Sequence, residues 1–87
     1  MHYGNLIDDT DKLNLSRGFD HGNYANAYET EDYEQALEDP RIENAPPLFL
    51  TGMLLGFFSS YEIHEVPNEY QEDLIAARQE FGDPDEQ

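Results

Sequence analysis

Cysteine and tryptophan are both absent from the 87-residue chain, and Lys and Arg together number only four. Without cysteine there is no disulfide framework, no thiol nucleophile and no zinc ribbon, and nothing asks for an oxidising compartment. Four cations cannot build the clustered basic face that phosphate binding needs, which excludes a direct nucleic-acid binder. The same shortage disfavours anionic membrane surfaces, which attract basic segments. The longest apolar stretch, Leu48 to Phe58, falls well short of the ~20 residues that cross a bilayer. The start, Met1-His2-Tyr3-Gly4-Asn5, has neither the basic nor the apolar region of a signal peptide, so the expected location is the cytoplasm.

What the chain has in abundance is negative charge. Twenty Asp and Glu give a formal net charge of −16, with mean hydropathy −0.80 and a pI near 4.1. High charge and low hydropathy are half of a disorder signature. The other half is missing, because 38% of residues are apolar and 13% aromatic, including six Tyr and five Phe. A folded domain is therefore expected. It buries only ~60% of its unfolded surface or slightly more, and crowding of like charge makes its stability rise with salt.

The predicted fold class is mainly α: a small single-domain bundle of three to four helices over residues 1–82, with room for a short extended segment at the N-terminus or over 61–66. Residues 1–17 sustain neither period and read as an irregular arm that tucks Leu6, Ile7, Leu13 and Leu15 onto the domain. Over 19–39 a helical hairpin is predicted from Tyr24, Ala27 and Tyr28, then Tyr33, Ala36 and Leu37, at i, i+3, i+4. Asp20 and Thr30 are its candidate caps, Glu31 and Asp32 suit the second helix's dipole, and Pro40 marks its end. The run Asp32-Tyr33-Glu34-Gln35-Ala36-Leu37-Glu38, with Ala27-Tyr28 before it, resembles the middle of a tetratricopeptide repeat. The likeness covers about a dozen residues, has Glu31 where that repeat has a turn glycine, and finds no second copy about 34 residues on. It implies hairpin packing and nothing functional.

Pro46-Pro47 opens a central helix over 46–60 that is apolar all round, as a core helix is. Gly52 and Gly56 form a strip for close helix approach; packing within one protomer is the first reading of it and a homodimer through it the second. Tyr61 to Val66 alternates apolar and polar residues. A last helix over 68–81 is expected, with Asn68 as cap, Tyr70, Leu74, Ala77 and Phe81 inward, and Gly82 as a left-handed C-terminal residue. Tyr28, Tyr33 and Tyr70 are assigned to the core. Residues 83–87 read as a disordered acidic tail.

Catalytic constellations do not form. His2, His21 and His64 are scattered, and His64-Glu65 lacks the second histidine of a zinc helix. Asp9 and Asp11 begin like a calcium loop, but Leu13 and Asn14 stand where an oxygen ligand and a glycine are required. Ser59-Ser60 lacks the glycine-flanked nucleophile turn, no phosphate-cradling glycine loop occurs, and pairs of carboxylates carry no message on so acidic a surface. Neither an enzyme, a cofactor nor a metal is expected.

A compact chain of this length has a diameter of ~30 Å, and ~30 Å of duplex DNA carries roughly 18 negative charges. The net charge of −16 is close to that density. Two groups of carboxylates carry much of it: Glu29, Glu31, Asp32, Glu34, Glu38, Asp39 and Glu43, then Glu62, Glu65, Glu69, Glu72 and Asp73. If the hairpin and the last helix share a surface, these twelve trace a phosphate-like path that a basic groove would accept.

In size, acidity, tyrosine content and lack of cysteine, the chain resembles the small acidic DNA mimics of phages and mobile elements, among them anti-CRISPR and antirestriction inhibitors. The resemblance is compositional and transfers no residue roles. It implies an inhibitor acting in the host cytoplasm that occupies the nucleic-acid channel of a CRISPR effector, restriction enzyme or similar basic complex, without touching nucleic acid or membrane. Two other readings compete with it: a helical adaptor for a basic protein surface, and a salt-adapted protein whose acidity is solvation.

Overall fold

Asp8, three residues before Asp11, starts the first helix by a reciprocal cap. The Asp11 amide donates to Asp8 Oδ1 at 2.8 Å, and the Asp8 amide donates back to Asp11 Oδ2 at 3.4 Å. Such a box satisfies two amides that the helix leaves without partners. The computed structural model describes residues 8–82. Helix α1 runs Asp9–Tyr24 and continues without a break into a π turn, Ala25–Glu29. A short α2, Tyr33–Leu37, and a 3₁₀ turn, Pro40–Ile42, lead to α3, Pro47–Phe57; a second 3₁₀ turn, Ile63–Glu65, precedes α4, Asn68–Phe81. The protein is a mainly helical small globule, with no strand among the described residues.

Residues 9–17 correct the sequence reading. From Asp9 onward they are helical, where an irregular arm was expected. The inward positions of α1 are Leu15, Gly18, Phe19 and Gly22, a regular i, i+3, i+4, i+7 stripe in which glycine fills two of four places. An apolar-period reading skips glycine, so the stripe does not register.

Those glycines mesh with the pair in α3. A Cβ on Gly18 or Gly22 would overlap the carbonyl oxygen of Phe49 or Met53, and one on Gly52 or Gly56 would overlap that of Leu15 or Phe19. Each glycine Cα–H therefore points at a main-chain oxygen of the other helix, a weak but repeated attraction. The Gly52/Gly56 strip is filled from within the protomer by α1, which leaves it no space for a second copy.

Around this crossing the core gathers Met53, Phe57, Phe58, Val66 and Leu74, the most deeply buried large side chains. Helix α4 contributes Leu74, Ala77 and Phe81, with Tyr70 partly buried, as its spacing predicts. Arg78 Nη2 donates to the carbonyls of Phe58 (3.0 Å) and Tyr61 (3.4 Å). It thereby ties α4 to the end of α3, where free carbonyls and the helix dipole favour a cation.

Several local expectations shift. Asp20 lies exposed inside α1 rather than capping it, and Asp32, accepting from the Glu34 amide at 3.0 Å, caps α2 in place of Thr30. Thr30 instead closes the preceding turn by accepting from the Asp32 amide. Tyr28, assigned to the core, is 77% exposed, because the π turn rotates it outward beside Tyr24. The alternating 61–66 segment is a 3₁₀ turn pinned by Gln71 Nε2, which donates to the carbonyls of Ile63 and Val66. Pro67 takes the capping place expected of Asn68, and Gly82 has φ 66° but ψ −152°, outside the left-handed helical well. The acidic tail over 83–87, and the apolar contacts of Leu6 and Ile7, lie outside the described residues.

Candidate functional site: an acid-rimmed aromatic cleft

The turn after the π segment and the start of α4 face each other across a cleft of about 520 Å³. Its floor is aromatic: Tyr33 packs edge-on against Phe57 (5.1 Å) and Tyr70 (4.9 Å between centroids), and Phe58 meets Tyr61 at 5.1 Å. Such edge-to-face pairs add stability beyond the area they bury. Tyr61 is held from the far side by Asn26, whose Nδ2 donates to the tyrosine Oη at 2.8 Å.

Five carboxylates rim this floor: Glu31, Asp32 and Glu34 from the α2 side, and Glu65 and Glu69 from the α4 side. All five are exposed. The local reasons are turn chemistry. Asp32 is the cap of α2, and Glu65 Oε1 accepts from the Glu62 amide at 2.9 Å across the second 3₁₀ turn. No Lys or Arg lines the cleft.

The phenols feel this environment. Burial pushes the Tyr70 hydroxyl above its ordinary pKa, and the charges of Glu69, Glu34 and Asp32 push it the same way. Tyr33 is raised more strongly, first by burial and then by Tyr70 and Asp73. Carboxylates from both sides of the cleft thus act on a single ring, and five of the twelve carboxylates in the two acidic groups of the sequence meet here.

Not every expected carboxylate belongs here. Arg41 Nη2 donates to both Glu29 oxygens at 2.8 and 2.9 Å, and Arg41 Nε donates to both Asp39 oxygens at 2.8 and 3.1 Å. The Arg41 guanidinium and backbone amide hold the Asp39 carboxyl down at about 2. Glu29 and Asp39 are therefore partly neutralised at home. Glu38, Glu43, Glu62 and Glu72 are exposed away from the cleft, and Asp73 lines a neighbouring groove. The fifteen-residue run from Glu29 to Glu43 is not one continuous face.

Spacing alone did not point to Thr30, Tyr61 and Pro67 as cleft residues. For Tyr61 the available signal was its position three residues after Phe58. Among the described residues no group of three or more His, Asp or Glu is arranged to hold a metal ion, and no helix is long and apolar enough to cross a membrane. No protein-family model matches the chain, and neither a characterised protein nor a solved structure matches it.

Proposed function

We propose that the protein is an acidic inhibitor that imitates a nucleic-acid backbone and occupies the basic channel of a DNA- or RNA-binding defence complex, in the manner of anti-CRISPR or antirestriction proteins. The observation that carries the reading is the convergence of Glu31, Asp32 and Glu34 with Glu65 and Glu69 around one aromatic floor. Guanidinium groups that normally grip phosphates pair with carboxylates in the same planar, two-pronged way and stack on aromatic faces. Size and charge support it too. The molecule's longest extent is 34 Å; duplex DNA of that length carries about 20 charges, against −16 here. The protein acts by occupancy and carries out no catalysis.

A second reading, a helical adaptor for a basic protein surface, is favoured by the aromatic floor itself, since a phosphate backbone offers no such surface. One experiment separates the two. Basic proteins captured from a bacterial lysate on the immobilised chain are purified and tested for binding to duplex DNA in its presence. Mimicry predicts mutual exclusion, relieved when Glu31, Glu34 and Glu69 are all changed to Lys. A captured protein that holds DNA and this chain together would instead establish the adaptor.

A further inference from the structure

On the other side of the Tyr33–Tyr70 pair lies a second depression of about 440 Å³, bounded by α2, α3 and α4. Its lining is largely apolar, with Leu37, Leu50 and Leu54 beside the buried Tyr33, Ala77 and Phe81, and it carries Asp73 and Glu80. Leu37 and Leu50, from two different helices, stand 40% and 38% exposed along its edge. Glu34 and Glu38 of α2 are exposed beside Leu37.

We infer that this groove docks a basic amphipathic helix of a partner protein. A helix laid in a groove is read through an apolar stripe at i, i+3 or i+4, and i+7, and this apolar lining, with leucines of α2 and α3 along it, suits such a stripe. Asp73 and Glu80, seven apart on α4, place negative charge two turns apart along one wall, where Lys and Arg flanking the stripe would meet them. No Lys or Arg lines the groove. A second copy of this chain is a poor occupant, because it would bring together two molecules of net charge −16. This chain also has few cations to offer such a copy: Arg41 is engaged with Asp39 and Glu29, and Arg78 caps α3. The inference stands apart from nucleic-acid mimicry, since it rests on the apolar floor and requires no nucleic-acid channel.

The probe is a labelled synthetic helix of about 18 residues, long enough for five turns, with leucines in one stripe and Lys or Arg on both flanks. A control peptide has the same composition with the stripe scrambled. At physiological salt the striped peptide is expected to bind at least about tenfold more tightly than the control, a difference of about 1.4 kcal/mol. Leu50→Asp, and independently Leu37→Asp on a different helix, should each remove that advantage while the protein stays folded, with its helical circular dichroism and cooperative unfolding retained. Glu31→Lys, at the cleft and away from the groove, should leave the ratio of the two peptides unchanged. Equal binding of both peptides, or binding indifferent to both leucine substitutions, would overturn the assignment. So would sedimentation as a dimer that Leu50→Asp dissociates, which gives the groove to a second copy.

Discussion

Gly52 faces the main-chain carbonyl of Leu15 across the α1–α3 crossing, with no space between them for even a methyl group. Three further glycines repeat that relationship along the same seam, so α1 and α3, the most extensively packed pair of helices, meet backbone to backbone. In an exposed helix Gly→Ala gains about 1 kcal/mol of helix propensity. Here the sign reverses.

Gly52→Ala is expected to destabilise by about 1–3 kcal/mol, the usual cost of forcing atoms into a filled interior. What the new methyl would strike is carbonyl backbone, which cannot swing aside as a side chain can. Thermal unfolding should show a fall of about 4–8 °C per kcal/mol for a domain of this size. A variant that melts at or above the parent would refute the close crossing.

Neighbouring leucines of α3 should differ sharply. Leu55 is 3% exposed and Leu50 is 38% exposed, although both belong to one apolar run. Leu55→Ala is expected to cost about 2–5 kcal/mol, enough to unfold much of the population, and Leu50→Ala about 1 kcal/mol. Denaturant titration of the two variants side by side checks the orientation of the helix.

Alkaline pH should unfold the protein through its buried phenols. A group whose folded pKa is raised contributes stability that is complete below its unfolded pKa and fades as pH climbs above it. For Tyr33, whose ordinary value is 10.0 and whose folded value lies well above that, the loss begins above about pH 10. Tyr33→Phe keeps the ring contacts and deletes the ionisation, so its alkaline midpoint should move to higher pH. Absorbance near 295 nm, which reports tyrosinate, should show one fewer late-titrating phenol.

Removing the Arg78 guanidinium should loosen the end of α3. Arg78→Ala leaves the carbonyls of Phe58 and Tyr61 without that donor, at a cost of about 1–3 kcal/mol for lost charged hydrogen bonds. Amide exchange should accelerate over 58–61 before it does in α1. Uniform acceleration would mean that the link is not local.

Helical class, the apolar run that begins at Pro47 and the inward face of α4 were all legible in the sequence, because each is written in side chains of strong and periodic hydropathy. Tyr70, Leu74, Ala77 and Phe81 form an i, i+4, i+7, i+11 stripe whatever they pack against, and Pro47 starts a helix wherever the chain goes. The first half of α1 escaped because it turns only Leu15 inward while Leu13 faces water, and the stripe that Leu15 opens continues in Gly18 and Gly22, residues whose contribution is the absence of a side chain. That contribution has value only when another backbone arrives. Only the tertiary structure could bring Glu31, Asp32 and Glu34 to the same cleft as Glu65 and Glu69, since their meeting depends on the course of α3 between them. The sequence by itself determined how much negative charge the surface must carry; the packing of the helices on one another decided where five of those carboxylates converge and which apolar side chains, Leu37 and Leu50 among them, are left facing water.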